Sequence, residues 1–103
     1  MDSLKYLSDF FDAIKTDGRI GATHIAIYAA LVQYRKEREF ANPIHAFSRE
    51  IMEIAKVSSA ITYQRCVRAL SDYGYLRYEP SFDRTKASRI YFTDHCNKYP
   101  THQ

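Results

Sequence analysis

The sequence predicts a mainly helical α+β fold, and three observations support this class. Apolar residues recur at helical spacing, or as a near-continuous run, in four segments before Gly74. Apolar and polar residues alternate in two short segments after it, which is typical of strands. The 103 residues are 46% hydrophobic and 26% charged, a composition typical of one globular domain.

The first predicted helix covers residues 3–15. Its apolar positions are spaced by three and four and include Leu4, Leu7, Phe11 and Ile14. The segment 16–18 ends it, and Gly18 is predicted to be a left-handed cap. We therefore treat residues 1–18 as an N-terminal amphipathic helix, which either packs on the rest of the chain or forms a homodimer with its copy in a second chain.

A second helix is predicted to start at Thr23, whose hydroxyl can accept hydrogen bonds from free backbone amides, and to run through Glu39. Its residues 25–32 are all apolar, as expected for a helix contacted on most sides. Asn42-Pro43 then forces a turn, because proline has no amide hydrogen and disfavours a helix before it. Residues 44–47 are predicted to form a short strand.

A short helix and a longer one follow in close succession. Ser48 is predicted to cap the short helix, residues 49–56, and Ser58 to be the cap of the longer one. The longer helix covers residues 59–73, and Gly74 closes it. Because two helices joined by a turn of three to four residues form a helix-turn-helix, the sequence predicts that motif here.

Residues 75–81 and 88–94 are predicted to be the two strands of a hairpin. The residues predicted to face the core are Leu76, Tyr78, Ile90 and Phe92, and those predicted to face outward are Tyr75, Arg77, Arg89 and Tyr91. The loop at the hairpin tip, taken with the first residue of the second strand as segment 82–88, is polar and basic. Residues 19–94 thus form the main domain, and residues 95–103, which have no periodicity, are predicted to be a flexible tail.

The longer helix lies in SSAITYQRCVRALSDYGYL, residues 58–76, and it has two contrasting sides. The apolar side, predicted to be core, contains Tyr63, Cys66, Val67 and Leu70. The polar side contains Thr62, Gln64, Arg65 and Arg68, with no acidic residue before Asp72. Residues 56–103 have eight Lys/Arg and four Asp/Glu, a net charge of +4, whereas residues 1–55 have seven and eight, a net charge of −1. This asymmetry favours a polyanionic partner.

These patterns predict a non-catalytic protein that binds double-stranded DNA with helix 59–73 and loop 82–88. A helix fits the major groove, where arginine reads guanine and glutamine reads adenine through paired hydrogen bonds. Arg65 is assigned to base readout and Arg68 to a phosphate. Phosphate or base contacts are assigned to Ser59, Thr62 and Gln64, and contacts with adjacent phosphates or the minor groove to Arg84, Lys86 and Arg89.

A family resemblance agrees with this interpretation. VSSAITYQRCVRALSDYGYLRY, residues 57–78, resembles the recognition helix and first wing strand of winged helix-turn-helix DNA-binding proteins. Residues 20–93 are similar to small winged-helix proteins of bacterial mobile elements, particularly of Bacteroidetes, and to the N-terminal domains of phage and plasmid replication initiators. The resemblance implies a winged-helix fold and a role in transcription regulation or in mobile-element replication or excision. Wings of this kind often have a glycine near the tip, where this chain has Ala87.

Two other classes of function compete with DNA binding. A protein–protein interaction or dimerisation module without DNA binding would use Tyr75 and Tyr91, since tyrosine is enriched at interfaces. An enzyme is disfavoured, because the sequence has no Gly-rich phosphate loop and no nucleophile elbow. A metal site is disfavoured because no chelating pair is found among His24, His45, His95 and His102, and Cys96 is directly adjacent to a histidine.

We predict no cofactor, no small-molecule substrate and no membrane partner. The longest apolar run, residues 25–32, is far shorter than the roughly 20 residues of a membrane-spanning helix. The first residues lack the basic start and apolar middle of a signal peptide. Cys66 and Cys96 are predicted to be free thiols, and a cytoplasmic location is expected.

Overall fold

The computed structural model describes residues 2–83 and 85–93, with side chains from residue 4 onward. The elements within this part of the chain are α1 (Asp2–Ile14), α2 (Ala22–Glu37), β1 (Ile44–Ala46), α3 (Ser48–Ala55), α4 (Ala60–Asp72), β2 (Leu76–Glu79) and β3 (Ser88–Phe92). The fold is therefore α+β and mainly helical, as predicted. No helix among the described residues is both long and apolar enough to cross a bilayer. The predicted tail 95–103 and Arg84 lie outside the described residues.

The three strands form one antiparallel sheet in the order β1-β3-β2. On one side of β3, Ile44 of β1 lies opposite Ile90. On the other side, Leu76 of β2 lies opposite Phe92. These four side chains are buried on the same face of the sheet, because residues two apart on a strand share a face.

An aromatic cluster joins α1 to the rest of the core. Phe10 is fully buried, and its ring stacks on Tyr28 of α2 with the ring centres 3.9 Å apart. The ring of Tyr75 meets Phe10 edge-on at 5.3 Å, and Tyr6 meets Phe92 edge-on at 5.8 Å. α1 therefore packs on its own chain, one of the two arrangements that its sequence allows.

The predicted outward position of Tyr75 is wrong. Its side chain is only 4% exposed, and its hydroxyl donates a hydrogen bond to a carboxylate oxygen of Asp17 at 2.5 Å. β2 begins at Leu76, so the residue before it does not follow the alternation of the strand. Gly74 has a φ of 88°, a conformation that favours glycine, and the turn at this residue brings Tyr75 into the core.

The predicted start of the second helix is shifted. α2 begins at Ala22, ahead of the predicted cap Thr23. Nδ1 of His24 accepts a hydrogen bond from the backbone amide of Gly21 at 3.0 Å, so a histidine side chain satisfies the first free amide. Gly18 is not the left-handed cap that the sequence predicts, because its φ is not positive.

The connection between α3 and α4 also differs in detail from the prediction. Ser48 is already the first residue of α3, and the backbone amide of Phe47 before it donates to Oε1 of Glu50 at 3.0 Å. α3 ends at Ala55, and the next residue, its C-cap Lys56, has a left-handed conformation with a φ of 63° and a ψ of 39°. Ser59, rather than Ser58, caps α4. Four residues, 56–59, therefore separate the two helices.

Candidate nucleic-acid interface

One side of α4 holds the helix against the core. Tyr63, Cys66, Val67 and Leu70 are buried, as predicted, and the helix contacts α2, α3 and β2. Because these residues are spaced by three and four, the opposite side of the helix faces outward.

The outward side of α4 is a row of four exposed side chains, which we call the α4 ridge. Its members are Ile61, Arg65, Arg68 and Asp72, and the spacing of four, three and four residues aligns them along the helix. The side chain of Ile61 is 71% exposed. Asp72 is the last residue of α4, so the charge on the rest of the ridge is positive only.

Neither arginine of the α4 ridge is neutralised by a carboxylate among the described residues. Arg65 forms no hydrogen bond or ion pair with that part of the chain. The guanidinium of Arg68 lies 5.5 Å from the centre of the Tyr78 ring, a contact that orients the side chain without removing its charge. Both positive charges can therefore meet an external anion.

The other predicted contact residues of α4 also contribute to the fold. Oγ of Ser59 accepts a hydrogen bond from the backbone amide of Thr62 at 3.2 Å. Oε1 of Gln64 accepts one from the hydroxyl of Tyr78 at 3.2 Å. Thr62 and Gln64 are half-buried, whereas Ser59 is exposed. The hydroxyl of Ser59 can thus still donate to an external acceptor while its oxygen caps the helix.

A cleft of about 300 Å³ lies between α4 and the β2–β3 hairpin, and we call it the α4–hairpin cleft. Its walls include Phe47 before α3, Gln64 and Arg68 from α4, and Tyr78, Phe82 and Lys86 from the hairpin. Aromatic rings and two cations therefore share one concave surface. Such a surface can stack flat rings and hold anionic groups at the same time.

Arg89 lies on a different surface from the α4 ridge. Its guanidinium is 3.2 Å from Oε1 of Glu79, and the guanidinium of Arg77 is 3.1 Å from the other oxygen of the same carboxylate. Arg89 lines a second groove, of about 500 Å³, together with His45 and Lys86. Among the described residues, Lys86 is the only predicted loop cation that lines both the α4–hairpin cleft and this second groove.

The tip of the hairpin is a turn held by its own polar side chains. Oγ of Ser81 accepts a hydrogen bond from the amide of Asp83 at 3.2 Å. The carboxylate of Asp83 accepts two from Thr85, from the amide at 2.9 Å and from the hydroxyl at 2.7 Å, and these lower the pKa of that carboxyl group. Phe82 lies in this turn and is 96% exposed.

The sequence interpretation missed three aromatic residues of the α4–hairpin cleft: Phe47, Tyr78 and Phe82. The sequence places Tyr78 on the same strand face as Leu76, and it does pack against the core; it is half-buried and also lines the cleft, which the alternation does not indicate. Phe82 carried only a weak signal, because single apolar residues are common on protein surfaces; its place at the edge of the cleft came from the structure. Phe47 carried no such signal, since it lies beside an apolar strand.

Burial shifts the pKa values of one thiol and one imidazole among the described residues. Burial raises the pKa of the Cys66 thiol, although the charge of Arg65 opposes this, and a protonated buried thiol is a poor nucleophile. Burial lowers the pKa of His24, against the opposing charge of Asp17. Within the described ranges, no group of three or more His, Cys, Asp or Glu side chains is placed to hold a metal ion. His95, Cys96 and His102 lie outside those ranges.

Comparison with family models, with curated proteins and with solved structures found no match to this chain. What the α4 ridge and the α4–hairpin cleft bind is therefore argued from their charge, shape and contacts.

Proposed function

We propose that the protein is a winged helix-turn-helix protein that binds double-stranded DNA. In this proposal α3 and α4 form the helix-turn-helix, and the β2–β3 hairpin, with residues 82–88 at its tip, is the wing. The observation that carries the proposal is the α4 ridge, where Arg65 and Arg68 are exposed without a carboxylate partner among the described residues. A helix with such a ridge matches the width and the negative charge of the DNA major groove.

The arrangement supports a different role for each cation. Arg65, the nearer of the two ridge arginines to the start of α4, reads base edges, because the N-terminal part of a recognition helix points into the groove. Arg68 and Lys86, on two walls of the α4–hairpin cleft, hold the phosphates of one strand. Arg89 contributes less, since Glu79 already neutralises part of its charge. The role of Arg84 stays a prediction from sequence.

The biological role that fits such a domain is transcription regulation or the replication or excision of a mobile element. The protein acts by binding alone in this proposal, without catalysis and without a cofactor. A single small domain makes few base contacts, so specific binding would use two copies on half-sites about one helical turn apart.

The DNA-binding proposal is tested by titrating mixed-sequence duplex DNA with the wild-type protein and with the double variant Arg65→Gln/Arg68→Gln. We expect wild-type affinity to fall steeply between about 50 mM and about 200 mM salt, because cations that contact phosphates release counterions. Since each lost phosphate contact lowers the slope of log affinity against log salt by about 0.9, the variant should have a shallower slope. Fluorescence anisotropy of a labelled duplex measures both quantities.

A matched control removes two positive charges from α1 and the residue that follows it instead. Lys5 and Lys15 form surface ion pairs with Asp9 and Asp12, and such pairs contribute only about 0–1 kcal/mol to stability. Lys5→Gln/Lys15→Gln should therefore fold normally and keep the wild-type salt slope. Equal loss of binding in both double variants, or no binding by the wild type at low salt, would contradict the proposal.

A second candidate function is a protein-interaction module that dimerises through α1. One observation favours it: Leu4 and Phe11 are 69% and 46% exposed, and residues seven apart lie on the same side of a helix. The other predicted contact of this module, Tyr75, is buried. Tyr91 is half-buried, and the guanidinium of Arg77 lies 4.1 Å from the centre of its ring. Dimerisation through α1 is compatible with DNA binding, because no α1 residue lines the α4–hairpin cleft.

A further inference from the structure

The exposed Phe82 at the hairpin tip packs very little against the described part of the chain. It is 96% exposed, and the hydrogen bonds that close the turn come from Ser81, Asp83 and Thr85. The amide of Ser81 is held in addition by Oγ of Ser88 at 3.2 Å, and the amide of Lys86 by the carbonyl oxygen of Asp83 at 3.0 Å. The turn is therefore preorganised, and it presents one large apolar ring to its surroundings.

The neighbours of Phe82 indicate which kind of surface the ring meets. Phe82 borders the α4–hairpin cleft together with the cations Arg68 and Lys86, both of which are exposed. Asp83 also lines the cleft, but its carboxylate is held by Thr85. An occupant that matches the two cations and the exposed ring combines negative charge with an apolar surface. DNA offers that combination when one base step opens, because its phosphates flank grooves that expose base edges, and partial unstacking of a step gives an apolar side chain access to the base faces.

We propose that Phe82 is an apolar wedge that inserts between neighbouring base pairs from the minor groove and bends the duplex. This inference rests on the proposed DNA-binding function. With α4 in the major groove, one DNA strand crosses the α4–hairpin cleft, and the hairpin tip reaches the adjacent minor groove. Insertion of an apolar side chain there unstacks one base step and bends the duplex toward its major groove.

The wedge predicts an effect on affinity that differs from the effect of a cation. Replacing Phe82 with alanine should weaken duplex binding by about tenfold, the order of effect seen when an aromatic ring that stacks on a base is removed. The salt slope should not change, because no charge is lost. The variant should fold normally, since its side chain is almost entirely in water. Phe82→Leu keeps an apolar wedge and should bind nearly as well as the wild type.

Ring closure of short DNA by a ligase tests the bend without knowledge of the recognised sequence. Mixed-sequence fragments of about 100 base pairs close rarely on their own, because they are shorter than the persistence length of about 150 base pairs. The wild-type protein and Phe82→Leu should both raise the yield of circles, whereas Phe82→Ala should not, even at concentrations that saturate the DNA. Phe40→Ala is the aromatic control: Phe40 lies outside the cleft, is 38% exposed, and has its ring centre 5.9 Å from the Arg35 guanidinium. Once circular dichroism has shown that this variant is folded, it should behave as the wild type.

The possible outcomes separate the two proposals. A wild-type protein that binds duplex DNA without promoting circles, or a Phe82→Ala variant that promotes them as well as the wild type, overturns the wedge and leaves DNA binding intact. A wild-type protein that does not bind the duplex overturns both. Equal effects of Phe82→Ala and Phe40→Ala also overturn the wedge, because they would show a general response to lost apolar surface.

Discussion

Asp17 links the loop after α1 to the start of the sheet. Its carboxylate accepts two hydrogen bonds from the guanidinium of Arg19, each at 2.8 Å, and one from the hydroxyl of Tyr75 at 2.5 Å. The guanidinium of Arg19 also lies 3.8 Å from the centre of the Tyr73 ring. These contacts connect residues that are 58 positions apart in the chain.

The environment of Asp17 shifts two pKa values in opposite directions. The hydrogen bonds from Arg19 and then from Tyr75 hold the pKa of the Asp17 carboxyl group well below its usual range. Burial, together with the bond to Asp17, raises the pKa of Tyr75 to about 12. At neutral pH the carboxylate is therefore ionised and the phenol keeps its proton, which is the state that forms the bond.

We predict that stability decreases in acid partly through Asp17. Because the carboxyl group has a lower pKa in the folded chain than in the unfolded chain, its contribution is complete above the unfolded value of about 3.9 and is lost as the pH falls toward the folded value. The difference in the free energy of unfolding between the wild type and Asp17→Asn should therefore be largest near neutral pH and shrink below about pH 4. Urea titrations monitored by circular dichroism at each pH measure this difference in the free energy of unfolding.

Asp12→Asn is the control for this prediction. Asp12 pairs with Lys15 on the exposed side of α1 at 3.4 Å, and exposed ion pairs have small effects on stability. If the difference in the free energy of unfolding between the wild type and Asp17→Asn stays constant from neutral to acid pH, Asp17 acts through packing rather than through its charge.

At the scale of elements, the start of α4 depends on one side chain. Ser59 caps the helix through its bond to the amide of Thr62, and α4 has no acidic residue in its first turn to assist. The cap thus fixes where α4 begins, whereas the buried side chains of Tyr63, Val67 and Leu70 hold the helix on the core with the α4 ridge outward.

We predict that Ser59→Ala lowers the free energy of unfolding by about 1 kcal/mol, the usual effect of losing an N-cap side chain. Ser58→Ala, the matched control, should change it by less than about 0.5 kcal/mol, because Ser58 is exposed and does not cap the helix. Urea denaturation of both variants decides between the two serines. A larger loss of unfolding free energy in Ser58→Ala than in Ser59→Ala would show that Ser58 is the cap.

At the scale of the whole molecule, α1 has two apolar sides with different uses. Tyr6 and Phe10 pack on rings of α2, β3 and the start of β2. Leu4 and Phe11 stay exposed on the other side. A helix that is apolar on a second side is typical of an interface with another protein surface.

We predict that the protein forms a concentration-dependent homodimer that Leu4→Glu/Phe11→Glu abolishes, because charged side chains would be buried in the interface. Sedimentation equilibrium over a wide range of protein concentrations measures the dissociation constant. Ile61→Glu, which places one such charge on a position of α4 as exposed as Leu4, should leave the dimer unchanged, whereas Leu4→Glu alone should weaken it. A wild-type protein that stays monomeric at the highest concentration rules out this use of α1.

The sequence by itself determined the type and order of the elements, the buried side of α4 and the alternation within the sheet. These properties depend on residues close together in the chain. Tyr63, Cys66 and Val67, for example, are spaced by three and by one, which places them on the same side of a helix. The exposure of Arg65 and Arg68 follows from the same spacing. Their contact with DNA remains a prediction.

Only the tertiary structure decided which surfaces meet. It placed Tyr75 on Asp17, paired Arg89 with Glu79, packed α1 on its own chain, and brought Phe82 to the edge of a cleft beside Arg68. None of these follows from periodicity, because periodicity says which side of an element is apolar and not which partner covers it. Contacts between residues far apart in the chain are set by how all the elements pack together, and the candidate site is made of such contacts.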